Sequence, residues 1–221
     1  MQINSDFSQT AALQLNHYNW RTTPQVGVQR VMLDRIGGEK ARATTVVRYA
    51  PGSTFPNHSH PGGEEVLVLS GIFSDQSGDY SQGWYLRNPP GSSHAPSSLG
   101  GTTIFVKLWQ MSLTEATHTR INTNDSANWV KENNYHICPL YQDKGEVTQL
   151  IKLTPHQCAP HHLIGQKAIE LFVLTGSIFH NKLEYKEGSW LRVPSNKQTL
   201  IKAGNKNATI YLKVGNFKNI S

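Results

Sequence analysis

The sequence predicts an all-β protein built as two related barrels. Three observations carry that expectation. Short runs rich in Val, Ile, Leu and aromatic residues, among them 43–49, 65–70, 84–87 and 103–110, are separated by turns of Gly, Pro, Asn and Ser. No stretch keeps a helical apolar period. The chain also repeats itself at a nearly constant interval, the mark of an internal duplication.

The repeat is legible block by block. Glu65-Val66-Leu67-Val68-Leu69-Ser70-Gly71 returns 105 residues later as Glu170-Leu171-Phe172-Val173-Leu174-Thr175-Gly176. Gly83-Trp84-Tyr85-Leu86-Arg87-Asn88-Pro89 returns at the same interval as Gly188-Ser189-Trp190-Leu191-Arg192-Val193-Pro194. Thr103-Ile104-Phe105-Val106-Lys107-Leu108 returns at 106 as Thr209-Ile210-Tyr211-Leu212-Lys213-Val214. Pro51 and Pro155 match at 104, as do Pro56 and Pro160, and Trp20 and Trp129 stand as corresponding entry residues. Two homologous halves are expected, residues 1–117 and 118–221. Each suits a small barrel filled by inward-facing side chains, with strands shared or swapped between the two. Residues 118–128, rich in Thr, Asn and Ser, read as the connection between the halves.

A chain of 221 residues with 37% hydrophobic and 16% charged residues can bury a core, which excludes wholesale disorder. The net charge of +6 falls mostly in the second half. Residues 1–112 hold eight Lys/Arg against seven Asp/Glu, and residues 113–221 hold thirteen against eight. The lysines are scattered, with no basic stripe and no recognition helix, so nucleic acid is not an expected partner. Only Cys138 and Cys158 occur, without a CxxC, so neither a disulfide framework nor a thiolate zinc site is expected. The N-terminal stretch has no apolar signal core and no apolar run is long enough to span a bilayer. The expected setting is cytoplasmic, with no membrane partner.

Ligand-type side chains concentrate between Gly52 and His94. His58 and His60 are two apart, which on a strand puts both imidazoles on one face. Glu64 follows the turn Pro61-Gly62-Gly63, and His94 follows Pro89-Pro90-Gly91-Ser92-Ser93. Three imidazoles and a carboxylate suit a divalent metal such as Zn, Fe, Mn, Ni or Cu. Glu65 competes with Glu64 for the carboxylate role, but adjacent strand residues face opposite ways. Glu170 repeats Glu65, whereas Ile169 stands where Glu64 does, so Glu65 reads as structural and Glu64 as the ligand.

In the second half the set is broken. His162 matches His58, but Ile164 matches His60 and Thr199 matches His94. His156, His161 and His162 read as surface or pocket residues, with a weak second site of His161, His162 and Cys158 as the alternative. Tyr80, Tyr85, Arg87, Lys107 and Trp109 lie on or near the site-bearing strands. They either line a pocket for an anionic or aromatic ligand or belong to barrel packing and external charge.

These residues resemble the cupin superfamily. Its first motif is a Gly, five residues, His-x-His, three or four residues, Glu, six residues and a Gly, matched by Gly52, His58-Ser59-His60, Glu64 and Gly71. Its second motif is a Gly, five residues, Pro-x-Gly, two residues and a His, matched by Gly83, Pro89-Pro90-Gly91 and His94. The Asn often found four residues later is Ser98 here, a position that does not bind metal. The resemblance implies two tandem double-stranded β-helix (jelly-roll) barrels, the first binding metal and the second degenerate.

A narrower resemblance is to the cupin half of ChrR-type anti-sigma factors. It rests on His60-Pro61-Gly62-Gly63-Glu64-Glu65, on Asp75 with Gly78-Asp79-Tyr80, and on Arg87 through Pro96. It implies one zinc ion on His58, His60, Glu64 and His94 and a part in the response to reactive oxygen species. Sigma-binding members carry a separate helical domain with its own His/Cys zinc site. Here the cupin-like sequence starts near Trp20, so the expectation is a cupin module rather than a direct sigma-factor binder. Other cupins with this ligand set are Fe(II) dioxygenases acting on aromatic or dicarbonyl molecules. The leading expectation is therefore a metal-binding, stress-sensing regulatory module with a protein partner, and the alternative is an Fe(II)-dependent dioxygenase. Both admit a small-molecule ligand in the first barrel and pairing of the chain into a homodimer.

Overall fold

Alternating apolar residues, many of them β-branched, make strands over most of the chain, and Gly- and Pro-rich turns break them. The computed structural model describes residues 1–38, 40–143, 145–164, 167–195, 197, 199–215 and 217. Its principal strands, in chain order, are β1 (Ala11–Leu13), β2 (Val28–Gly37), β3 (Ala41–Tyr49), β4 (His58–His60), β5 (Glu64–Asp75), β6 (Trp84–Asn88), β7 (Ser92–His94), β8 (Thr102–Leu108), β9 (Thr119–Asn122), β10 (Tyr135–Gln142), β11 (Glu146–Leu153), β12 (Ala168–Thr175), β13 (Trp190–Val193) and β14 (Ala208–Gly215). No helix among the described residues is long and apolar enough to cross a membrane.

The chain divides into two units. One comprises Met1–Ser5 and Asn19–Asn124, the other Asp6–Tyr18 and the described residues from Asp125 to Phe217. The first has an antiparallel sheet ordered β2-β3-β8-β5-β6-β9, the second one ordered β10-β11-β14-β12-β13-β1. Under the repeat these orders are the same, with β9 holding in the first sheet the place that β1 holds in the second. The strand ahead of each repeat thus completes the sheet of the other. Residues 119–122, read from their polar composition as part of a connection, are strand β9, paired with β6 through Arg87↔Thr119 and Leu86↔Arg120. An edge strand needs few apolar residues, so composition did not reveal it.

Strand β5 organises the first unit. Its pairing with β8 shifts register between Thr103 and Ile104, which leaves Leu69 as a bulge. The counterpart pairing of β12 with β14 shifts at the corresponding place, beside Leu174. Gly71 and Gly176 follow these bulges with φ of 73° and 74°. A Cβ at either would overlap a backbone carbonyl, that of Gly101 or of Asn207, so only glycine fits.

The two faces of β5 differ. Val66, Val68 and Phe73 pack with Val28, Tyr49, Tyr80, Leu86, Ile104 and Val106 into the core of the first unit. On the opposite face Glu65 lies in register between Arg87 of β6 and Lys107 of β8. All three are almost fully buried. Arg87 donates to Glu65 at 3.1 Å and, through Nε and the second amino group, to Glu115 at 2.6 and 2.9 Å. Lys107 donates to the Thr44 hydroxyl at 3.0 Å. The second unit repeats the motif, with Glu170 in register between Arg192 and Lys213. Trp190 Nε1 donates to Glu170 at 2.7 Å, and Lys213 pairs with Glu146 at 2.9 Å.

Buried ion pairs contribute little net stability while intact, but removing one partner strands a charge. Arg87→Ala, which removes the bidentate partner of Glu115 and one cation from beside Glu65, is expected to cost about 3–5 kcal/mol in urea unfolding. Lys182→Ala, at an exposed turn, is expected to leave the midpoint unchanged.

Candidate metal centre

The site starts from a two-stranded pair. β4 and β7 run antiparallel with His58 opposite His94 and His60 opposite Ser92. The two-residue spacing puts His58 and His60 on one face, and the register brings His94 across to them. The turn before β5 lets Glu64 approach from the main sheet. Gly63 there has φ of 76°, and a Cβ on it would overlap Met111.

The three histidines present nitrogen atoms that all lie within 4.8 Å of one another. His60 Nε2 and His94 Nε2 are 3.0 Å apart. The Glu64 carboxylate oxygen Oε2 stands 3.6 Å from His60 Nε2 and 3.4 Å from His94 Nε2. Two donors bound at about 2.1 Å to one ion, 90–109° apart, stand roughly 3.0–3.4 Å from each other. The separations of 3.0, 3.4 and 3.6 Å among His60, His94 and Glu64 lie at or slightly above that spacing, and His58 converges on them within the 4.8 Å span of the imidazoles, so the donor set suits one divalent ion. Among the described residues no other group of three His, Cys, Asp or Glu side chains converges in this way.

Neighbouring groups fix the donors. The His58 Nδ1–H donates to the Pro56 carbonyl at 2.9 Å, which leaves Nε2 as the free lone pair. His94 Nδ1 stands 3.3 Å from Asp75 Oδ2, the carboxylate–histidine arrangement common behind metal ligands. Asn88 Nδ2 donates to Glu64 Oε2 at 3.0 Å, and Arg120 of β9 donates to Asn88 Oδ1 at 2.7 Å. Burial pushes the His60 pKa down; Glu64 offsets part of this and the two neighbouring imidazoles add to it. Burial also works against a charge on His94, but the Asp75 hydrogen bond and Glu64 outweigh it and hold its pKa above the ordinary value. Asp75 is held below the usual carboxylate range, because the hydrogen bonds from His94 and from the Ser77 amide overcome its burial.

Asp75, Asn88 and Arg120 were not singled out for a role from the sequence. Asn88 was readable in principle, since it lies opposite Glu64 in the strand register. Asp75 was hidden by the Leu69 bulge: simple alternation from Glu64 puts Asp75 on the wrong face. Of the five residues left open as pocket or packing, Trp109 lines the cavity beside the histidines. Arg87 and Lys107 lie in the buried ladder on the far face of β5. Tyr85 is fully buried, and Tyr80 packs edge-on to Trp84 and accepts from Arg120.

In the second unit aliphatic core replaces the site. Ile164 and Ile169, which align with His60 and Glu64, belong to a cluster with Ile151, Leu171, Ile201 and Leu212. His161 is exposed, and the side chain of His162 lies outside the described residues. Burial raises the Cys138 thiol pKa to about 11, well away from metal-ligating thiolate.

A cavity of about 570 Å³ opens onto the site. His58, His60 and Glu64 form part of its wall, with Val28, Val47, Ile104, Val106 and Leu108 as an apolar floor.

Asp75→Asn is expected to weaken metal affinity about 10–100-fold while leaving the fold intact, as read by competition with a chromophoric chelator. In metal-free protein the Asp75–His94 pair stabilises where Asp75 is ionised and His94 protonated. The raised His94 pKa makes that contribution full below about pH 6.5, and it is lost as the pH rises through the folded value. The lowered Asp75 pKa makes its side of the pair full above about pH 4. The melting-temperature gap between wild type and Asp75→Asn should therefore be widest near pH 5–6 and shrink toward pH 8.

Residues 8–112 match the family of ChrR cupin-like domains. No curated protein matches the chain in sequence. Among solved structures, a candidate dioxygenase from Nostoc punctiforme aligns over 97% of this chain and 85% of its own, with TM-score 0.72 and 15% identity. A candidate glyoxylate-induced protein from Pseudomonas aeruginosa aligns over 96% and 90%, with TM-score 0.72 and 15% identity. The pirin YhhW from Escherichia coli, solved with nickel(II), aligns over 93% and 98%, with TM-score 0.69 and 11% identity. At these identities the likeness to solved structures is one of fold. The two sheets of common strand order, the histidine cluster in the first unit and the solved neighbours agree on the fold: the chain has a two-barrel cupin fold, and its residues 8–112 match the ChrR cupin-like domain.

Proposed function

We propose that the first barrel is a mononuclear divalent-metal centre held by His58, His60, Glu64 and His94, and that a small organic molecule meets the metal in the adjoining cavity. The cavity carries this reading. A purely structural metal needs a closed donor set, whereas this one has His58, His60 and Glu64 in the wall of a space large enough for a small metabolite. The metal would supply Lewis acidity or, as Fe(II), the means to activate oxygen. The chain's own residues do the rest. Pro56 and Asp75 hold the imidazole tautomers, Asn88 with Arg120 orients Glu64, and the apolar floor excludes water from the bound molecule. Glu64, if it leaves the metal, stands where it can accept a proton from that molecule.

The open cavity favours turnover, and we assign the activity as a dioxygenase-type oxidation of an aromatic or dicarbonyl compound. A second reading is favoured by the ChrR cupin-like match over residues 8–112. In it the same centre holds zinc and the cavity ligand, or an oxidant, alters a surface that a protein partner reads.

Elemental mass spectrometry of protein purified without added metal tests the common core of both readings. About one divalent ion per chain is expected, falling to near zero in His58→Ala and His94→Ala with the fold retained by circular dichroism. Metal retained in both variants would overturn the ligand set. Iron with oxygen uptake on catechols or diketones supports the enzyme. Zinc without uptake, together with a ligand-dependent change in proteolytic protection, supports the regulator.

A further inference from the structure

Arg30 sits in the cavity wall in an arrangement that neither the metal centre nor the barrel packing explains. It lies on β2 in the row Arg30–Val47–Ile104 of the sheet. Val47 and Ile104 belong to the same cavity wall. The Nε atom of Arg30 is buried and has no hydrogen-bond partner among the described residues. A buried guanidinium nitrogen left unpaired is costly, so it calls for an acceptor. Glu64 is the only carboxylate among the described residues of the cavity wall, and its Oε2 already faces His60, His94 and Asn88. Lys40 adds a second cation to the wall. Arg35, on the same strand, is disfavoured as a charge first by burial and then by Arg30 itself.

The sheet register separates this cation from the metal donors. Arg30 belongs to the row through Ile104, and Glu64 to the row through Leu108. Four residues along a strand is about 13 Å, spanned here by the side chains of Ile104, Val106 and Leu108. With a divalent ion added, the wall carries positive charge at both ends of an apolar floor.

Taking the cavity as the ligand pocket of the proposed metal centre, we propose that it selects an amphipathic carboxylic acid. The carboxylate pairs with Arg30, the apolar or aromatic body lies over Val47, Ile104 and Val106, and the opposite end meets the metal. The anion is recognised at the end remote from the metal. The ligand class is therefore an extended monocarboxylate rather than a compact chelator such as oxalate.

The test is calorimetric titration of the metal-loaded full chain with 3-phenylpropanoate, cinnamate and hexanoate, each beside its neutral amide, and with oxalate. Wild type, Arg30→Gln and Arg30→Lys are compared, and metal content is measured in each sample. At least one monocarboxylate should bind wild type at least tenfold more tightly than its amide. That preference should vanish in Arg30→Gln and partly return in Arg30→Lys, with metal content equal in all three. If wild type holds metal and none of the acids binds, or if Arg30→Gln binds them equally well, the carboxylate assignment is wrong and the metal centre stands. Oxalate binding more tightly than the extended acids would likewise overturn it. If wild type takes up no metal, the proposed centre fails and this inference fails with it.

Discussion

The first barrel depends on the pleat of β5 where Glu64 and Glu65 stand side by side. Successive strand residues face opposite ways, so two neighbouring carboxylates are sent to two different jobs. Glu64 turns to the histidines. Glu65 turns to a buried ladder between Arg87 and Lys107. The ladder tolerates no slip, because a shift of one residue would bury Glu64 among unmatched groups and turn Glu65 away from its cations. The ion pairs therefore act more as a register pin than as a source of stability. By pinning β5 against β6 and β8 they set where Glu64 meets Asn88, and so where the carboxylate stands beside the imidazoles.

The second unit separates these two roles. Its ladder of Glu170, Arg192 and Lys213 is intact, while the Glu64 position has become Ile169 within an aliphatic core. The same strand order and the same bulge persist with no converging metal-binding set among the described residues. Scaffold and site are thus independent layers on opposite faces of one strand, and the metal-ligand position has been lost while the ladder is kept. Gly71 and Gly176 belong to the scaffold layer, which explains their survival in both halves.

Around the histidines, charge is distributed unevenly. Asp75, Glu64 and Asn88 support the donors from one side, and Arg30 and Lys40 stand on the cavity wall with no carboxylate but Glu64 beside them in the described wall. A centre built only to hold an ion gains nothing from cations in its own cavity, since they repel the metal. They make physical sense when an anion shares the space. This places the ligand, rather than the metal, at the centre of the functional question.

Much of this protein was legible in its residues. The repeat and the strand-length apolar runs implied two β-barrels, and His58-Ser59-His60, Glu64 and His94 carried a recognisable motif, because local spacing along strands survives translation into local geometry. Composition could not reveal that β9 completes the first sheet and β1 the second, since an edge strand's partner is chosen by the whole fold. Nor could alternation place Asp75 behind His94, because the Leu69 bulge inverts the facing of every later residue in β5. Whether Arg87 and Lys107 lined the pocket or the opposite face was likewise decided only by register. Residue types and short spacings were determined by the sequence itself. Which distant strand each side chain meets, and hence Arg120, Asp75 and Arg30 around the site, was decided by tertiary structure, because pairing across a sheet depends on contacts no local pattern encodes.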